Sequence, residues 1–163
     1  MIRLKHILSE ITLGGIQPYA TQFVWQRHSL SDSARIATFS ADGIQVELVA
    51  MQTDDAETSD WDFAIVMPTR DGEGRTVAHS RSIATGQINY LRLMSTAAEA
   101  VLDFVSQWQP DSVNVSASDT SNSAKESQKA KIYRNFLAAN ASRISAAGYR
   151  VLDTGRELYL VRK

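Results

Sequence analysis

Cysteine and histidine, which often bind metals or act in catalysis, are sparse in this sequence. It contains no cysteine, which excludes disulfides, thiolate metal sites and a cysteine nucleophile. The histidines His6, His28 and His79 lie far apart and form no His-x-x-x-His ligand pair on a helix. His79 is placed to act as a base beside Arg81, although a strand histidine without a chemical role is the more common case. No serine has a Gly-x-Ser-x-Gly setting, so a hydrolase is not indicated.

Carboxylates are plentiful, but their spacing selects none of them for acid or base chemistry. Positions 54–62 contain five acidic residues and no basic one, a composition that predicts a solvated loop and matches no metal-ligand spacing. Glu47 and Asp62 lie on the predicted sheet, where a carboxylate could serve as the general base of a proton transfer. Neither is singled out by its neighbours, so the base stays unassigned.

Basic residues concentrate in the last quarter of the chain, although the whole sequence has a net charge of −1. From position 123 onwards, nine basic residues outnumber three acidic ones. Four of them share the second predicted helix: Lys125, Lys129, Lys131 and Arg134. Such a row is usually a solvated face opposite a core stripe, and we favour this interpretation. A contact with an acidic protein or with phosphates is the alternative, and nucleic-acid binding would then depend steeply on salt.

Alternating apolar residues predict an antiparallel meander in the first half of the chain. Asp42-Gly43 separates the runs "ARIATFSA" and "IQVELVAMQ", which is the strongest short-range hairpin signal. The stretch "YATQFVWQRH" predicts a strand before this hairpin, and "DWDFAIVMP" predicts another strand after it, which Pro68 ends. Beyond the turn "RDGEGR", the run "TVAHSRSI" predicts a further strand.

In the second half, the spacing of apolar residues changes to three and four and predicts two main helices. The first runs from Gln87 to Gln107 and is closed by Pro110. After a short strand, "SVNVSAS", the second helix runs to about Ala147, where Gly148 supplies the left-handed residue that ends many helices. The remaining segment predicts a strand hairpin around "DTG".

Together these elements predict one α+β domain over residues 1–163, with a mostly antiparallel sheet and two main helices. Residues 1–15 predict a short amphipathic helix or an arm. Trp25, Trp61 and Trp108 belong to apolar patterns, so we expect them in the core rather than as stacking platforms for nucleobases.

No run approaches the ~18 apolar residues of a membrane-spanning helix, and the start is too charged for a signal peptide, so we expect no membrane and a cytoplasmic location.

The order of antiparallel strands, helix, strand, long helix and strand pair resembles the GNAT-type N-acetyltransferase fold. In that family, a turn of pattern Arg/Gln-x-x-Gly-x-Gly/Ala before the first of these helices holds the pyrophosphate of acetyl-CoA with its backbone amides. The matching stretch here is "RSIATG", and the resemblance implies acetyl-CoA binding by Arg81, Thr85 and Gly86. Ala84 replaces the first glycine of the pattern, and its methyl group would hinder the close approach of a phosphate.

A second landmark of that family is a helix with Leu-Tyr followed closely by Gly-Phe, in which the tyrosine often acts as general acid toward the departing thiolate. In "KIYRNFLAANASRISAAGY", the resemblance gives that role to Tyr133 and matches the closing pair to Gly148-Tyr149. Tyr133 and Gly148 are fifteen positions apart, roughly four helical turns, whereas the family motif has about one. The element order therefore fits the family better than this spacing does.

The stretch from Ala84 to Leu152 also resembles a group of small phage proteins, a likeness that implies a phage origin and brings no activity with it. Because Ala84 alters the pyrophosphate turn and no base is evident, we expect an accessory protein that acts by binding or protein interaction rather than by catalysis. An acetyl-CoA-dependent N-acetyltransferase is the alternative. A second alternative is a virion or assembly component that contacts other copies through a sheet edge or a terminal arm. The expected location is then the host cytoplasm or the virion.

Overall fold

The computed structural model describes residues 20, 22–28, 31–53, 59–80, 90–115 and 123–163. Within them the strands are β1 (Trp25–His28), β2 (Ser31–Ala41), β3 (Ile44–Gln52), β4 (Asp60–Arg70), β5 (Thr76–Ser80), β6 (Ser112–Asn114), β7 (Tyr149–Asp153) and β8 (Leu158–Arg162). The helices are α1 (Tyr90–Trp108), α2 (Ser123–Ala139) and α3 (Ala141–Ala146). The predicted α+β class is confirmed. No helix in the described ranges is long and apolar enough to cross a membrane.

The sheet is mostly antiparallel, as predicted. Seven strands follow one another in the order β1-β2-β3-β4-β6-β8-β7, and β5 pairs with β4 beside this path. Within the described ranges only β4 and β6 run parallel, and their pairing covers three residues of each strand, from Asp60 opposite Ser112 to Asp62 opposite Asn114. Asp60 and Asp62 thus belong to a strand and not to the solvated loop that the acidic composition predicts. Positions 54–58 of that segment lie outside the described residues.

The hairpin predicted at Asp42-Gly43 connects β2 and β3. Both turn residues have positive φ, 54° at Asp42 and 79° at Gly43. A two-residue turn of this kind matches the twist of its strands, and Asp and Gly are the residues that tolerate it. The ladder then runs without interruption from Ala41 opposite Ile44 to Ala34 opposite Met51. This register places Ala37, Phe39, Val46 and Leu48 on one buried face.

Where the sequence predicts one long second helix, the structure has two helices, α2 and α3. The prediction of two main helices is therefore incomplete. α2 ends at Ala139, and α3 begins after Asn140. The Asn140 side chain is buried and its Nδ2 donates to the carbonyl oxygen of Phe136 at 2.9 Å, a bond to the preceding turn of the kind that competes with helix continuation. After α3, Gly148 has φ of 89° and supplies the left-handed residue that the sequence predicts.

The core lies between α1 and one face of the sheet. Phe104 of α1 is completely buried, with ring centroids 5.4 Å from Trp25, 5.1 Å from Trp61 and 5.1 Å from Trp108. Trp61 is buried, and Trp25 and Trp108 are partly buried against the same cluster. The prediction that the tryptophans belong to the core is confirmed. Of the described residues in the predicted strand "YATQFVWQRH", only Trp25–His28 pair with β2, and they form β1.

Candidate functional site

A cavity of about 50 Å³ lies between the sheet, α1 and the helices α2 and α3. Its walls are almost entirely apolar. The sheet contributes Phe63, Val115 and Leu160, and the helices contribute side chains that include Met94 and Phe136. This space exceeds what one water molecule occupies, but an apolar wall gives water no hydrogen-bond partner, so such a cavity favours an apolar group.

The cavity lies where the parallel pairing of β4 and β6 ends. The last paired residues are Asp62 and Asn114, and the residues that follow them, Phe63 and Val115, both line the cavity. Val115 turns to β8, since its amide donates to the carbonyl oxygen of Leu158 at 2.8 Å. β4 continues with β3 instead, as far as Val66. Among the described residues the parallel pairing therefore ends at this point, and the cavity lies beside its end.

Two polar side chains also line the cavity, Tyr133 and Asn140. Tyr133 is half-buried on α2, one turn before Phe136, and so occupies the inner face that the helical spacing predicts. Asn140 receives an N–H from Arg143 at 3.5 Å, in addition to its own bond to the Phe136 carbonyl. The polar groups therefore sit on the helical side of the cavity, and the sheet side is apolar.

An ion pair joins α3 to α1 beside the cavity. The Arg143 guanidinium donates to both carboxylate oxygens of Glu99, at 2.6 and 2.9 Å. The side chains retain 29% and 18% of their exposure, so water screens this pair only partly. The hydrogen bonds that Arg143 donates to Glu99 raise the pKa of Arg143 by more than its partial burial lowers it. The pair ties α3, which follows Asn140, to α1, which carries Met94.

The carboxylates considered as a general base do not reach the cavity. Glu47 alternates with the buried Val46 and Leu48, so it points to the opposite face of the sheet, where it is itself buried. Asp62 alternates with Trp61 and Phe63 and is exposed on that opposite face. Among the described residues that line the cavity, none is Asp, Glu, His, Lys or Arg. The described part of the cavity wall can accommodate an apolar group and presents no charged acid or base to it.

The other residues implied by the sequence are only partly placed. Arg81, Thr85 and Gly86, together with Ala84 and residues 1–15, lie outside the described residues. His6 lies outside them too, and of His79 and His28 only the backbone is described, in β5 and β1. The same holds for Lys125 and Lys129 in α2. Among the described residues, no group of three or more His, Cys, Asp or Glu could hold a metal ion.

Of the basic row on α2, Arg134 has a structural partner. Its Nε donates to Asp153 at 2.6 Å, and its NH2 group donates to the second oxygen of the same carboxylate at 3.1 Å. This bidentate pair ties α2 to the end of β7. Lys131 is exposed, in agreement with a solvated face. Arg134 thus belongs to the contact between helix and sheet, which the charge pattern did not predict.

Arg35 is a buried cation that the sequence analysis missed. It is 8% exposed and stacks near two indole rings, 5.7 Å from the centre of Trp61 and 5.8 Å from that of Trp108. Its NH1 group donates to the carbonyl oxygens of Asp32 and Ala34. Guanidinium groups favour such aromatic surroundings. The burial of Arg35 could have been predicted, because alternation places Arg35 on the same strand face as Ala37 and Phe39, which are buried.

Tyr159 belongs to a second group of polar residues that the sequence did not reveal, on the sheet face opposite the cavity. Its hydroxyl donates to Oε2 of Glu157 at 2.5 Å, and Asp60 and Asp62 lie near enough to act on it electrostatically. The hydrogen bond to Glu157, followed by burial and by these negative charges, raises the pKa of Tyr159 from 10.0 to about 12. The neutral phenol is therefore favoured in the folded protein.

We expect this shift to make folding sensitive to alkaline pH. A tyrosine whose pKa is raised on folding contributes stability that is fully present below its ordinary pKa and is lost as pH rises through the folded value. The free energy of unfolding should therefore fall between pH 10 and about 12, and Tyr159→Phe should remove this part of the fall. The difference between the ultraviolet pH titrations of wild type and Tyr159→Phe gives the titration of the Tyr159 phenol. Glu157→Gln should bring the pKa back toward 10, and a wild-type midpoint already at 10 would contradict the expectation.

Comparison of the chain with family models, with curated proteins and with solved structures gives no match. Any function therefore has to be argued from the fold and from the cavity. Three features bear on it: the end of the parallel strand pair, the apolar wall, and the position of Tyr133.

Proposed function

We propose that this protein acts by binding, with an acetyltransferase-like fold that does not catalyse acyl transfer. The observation that carries the proposal is the apolar cavity at the end of the β4–β6 pair, whose described lining residues include no charged acid or base. The binding partner is a protein that inserts an apolar side chain there. A phage-encoded accessory protein fits this role, and that origin rests on the resemblance of the stretch from Ala84 to Leu152.

The order of elements supports the acetyltransferase-like fold. The meander β2–β4 is followed by α1, β6, α2 and the hairpin β7–β8, with β5 added between β4 and α1. The family resemblance further implies a splayed gap next to the pyrophosphate turn. The end of the β4–β6 pairing, directly before the cavity-lining residues Phe63 and Val115, supports the presence of such a gap.

The chemistry of acyl transfer explains why binding is favoured over catalysis. Transfer from a thioester to an amine needs a base for the amine and hydrogen-bond donors for the developing oxyanion. Glu47 and Asp62 point away from the cavity, and its sheet wall consists of Phe63, Val115 and Leu160. Such a wall stabilises a bound apolar group by removing its surface from water. Binding of an apolar group requires this burial, whereas proton transfer requires a base.

An acetyl-CoA-dependent N-acetyltransferase is the second candidate, and the position of Tyr133 favours it. This side chain lines the cavity, which lies beside the end of the parallel pairing of β4 and β6. Protonation of the thiolate by Tyr133 is the role that the resemblance implies. The candidate also requires Arg81, Thr85 and Gly86 to hold the pyrophosphate of acetyl-CoA.

A thermal-shift titration with acetyl-CoA separates these two functions. If the protein acts only by binding a protein partner, acetyl-CoA should leave the unfolding temperature unchanged. An acetyltransferase would instead gain about 2.7 kcal/mol of stability at an acetyl-CoA concentration 100 times its dissociation constant. Tyr133→Phe is the matched variant, and we expect it to unfold like wild type with and without acetyl-CoA. Stabilisation by acetyl-CoA, together with a CoA release that Tyr133→Phe abolishes, would contradict the proposal.

A further inference from the structure

Strand β7 forms one end of the sheet and carries apolar residues on an exposed edge. Among the described residues its only strand partner is β8, and the ladder between them runs from Tyr149 to Asp153 without a bulge. Val151 is 37% exposed and Leu152 is 40% exposed. Edge strands are usually protected by proline, lysine, a bulge or a covering element. β7 has no proline, lysine or bulge, its charged residues are Arg150 and Asp153, and no strand of the described residues pairs with its outer edge, so this edge can accept another strand.

The hydrogen bonds of the hairpin show which backbone groups face outward. Lys163 donates its amide to the carbonyl oxygen of Gly148, and Thr154 donates to the carbonyl oxygen of Glu157, so Gly148 and Thr154 both face β8. Backbone groups alternate in direction along a strand. The N–H and C=O groups of Tyr149, Val151 and Asp153 therefore point away from the sheet, with Val151 in the middle of the three.

We propose that β7 pairs with β7 of a second copy of this chain, antiparallel and across a two-fold axis at Val151. In this register Val151 of one copy stands opposite Val151 of the other as a hydrogen-bonded pair. Tyr149 then stands opposite Asp153 of the second copy, and each of these residues offers both backbone groups. The two sheets become one continuous sheet, which is the isologous contact that a symmetric dimer requires.

The side chains of β7 agree with a second copy as the occupant. Arg150 stands opposite Leu152 of the second copy, so its aliphatic stem covers an exposed apolar side chain while its charge stays in water. No like charges stand directly opposite one another in this register, an arrangement that would be destabilising in a sheet. A self-complementary edge of this kind needs no other partner. The inference is independent of the cavity and of the function proposed for it.

Charged substitutions of Val151 test the pairing. Val151→Lys and Val151→Glu each place like charges opposite one another at the two-fold axis, and both variants should be monomeric by sedimentation. Wild type should show a monomer–dimer equilibrium that depends on protein concentration, and an equimolar mixture of the two variants should restore the dimer. Met51→Lys, at another exposed apolar residue, is the control and should dimerise like wild type. A wild type that stays monomeric at all concentrations, or a Val151→Lys dimer, would overturn the inference.

A disulfide tests the register directly, because the natural chain has no cysteine. Cα atoms of a hydrogen-bonded antiparallel pair are about 5.5 Å apart, within the range that a disulfide spans. Val151→Cys should therefore form a covalent dimer under mild oxidation. Leu152→Cys, equally exposed but opposite Arg150 of the second copy, should cross-link much more slowly. Equal cross-linking at the two positions would overturn the register, and this readout applies even if a charged variant fails to fold.

Discussion

Replacement of Phe104 by alanine is expected to lower the free energy of unfolding by about 3–5 kcal/mol. The Phe104 ring is completely buried and is the one ring in the aromatic cluster that contacts Trp25, Trp61 and Trp108 alike. Its removal takes away apolar burial and leaves a cavity that three large rings cannot fill without moving. The contact between α1 and the sheet depends on this side chain.

Denaturation by urea with fluorescence detection measures the loss. The tryptophans around Phe104 report on the same transition, so the emission also shows whether their packing survives in the folded state. Met51→Ala is the control, because Met51 is 51% exposed and surface truncations usually change stability by less than about 0.5 kcal/mol. A loss below about 1 kcal/mol for Phe104→Ala would mean that the cluster does not organise the core.

Leu160→Ala is expected to cost about 2–5 kcal/mol and to enlarge the cavity. Leu160 is fully buried in β8, between Val113 of β6 and Val151 of β7, and it forms part of the apolar cavity wall. Its truncation therefore joins new empty space to a cavity that already exists. An apolar cavity of sufficient size binds small molecules such as benzene, so benzene should stabilise Leu160→Ala more than it stabilises wild type.

The same measurements on Leu152→Ala provide the control for Leu160→Ala. Leu152 lies on the neighbouring strand β7 and is 40% exposed, so its truncation opens no internal space. Both variants should be compared at low protein concentration, where association through β7 does not contribute. If benzene raised the unfolding temperature equally in wild type and in Leu160→Ala, the enlargement of a shared cavity would be disproved.

The parts of the fold that depend on local physics could be predicted from the sequence. Asp42-Gly43 specifies its turn because few other residues accept positive φ at both positions, and two alternating strands flank it. The stripe on α1 follows from helical spacing, and Gly148 ends α3 because of its backbone freedom. In each case the determining residues lie within one turn or one strand of each other.

The features that the sequence did not reveal are produced by contacts between distant segments. The parallel pairing of Asp60–Asp62 with Ser112–Asn114 joins segments about fifty residues apart, and no local pattern encodes that register. The break at Asn140 depends on a buried side chain that bonds back to Phe136. The cavity itself is a property of how α1, α2 and the sheet meet. Helical spacing is a local signal, and it correctly predicted the inner face of the second helix, from which Tyr133, Phe136, Leu137, Asn140 and Ile144 line the cavity.

The short ladder between β4 and β6 affects how the interior can move. Among the described residues this ladder ends at Asp62 and Asn114, since β4 continues with β3 while Val115 bonds to β8. Three paired residues of each strand join β4 to β6, so we expect the interior to yield most easily at this junction. The Glu99–Arg143 pair opposes such a movement from the helical side, because it joins α1 to α3 beside the cavity.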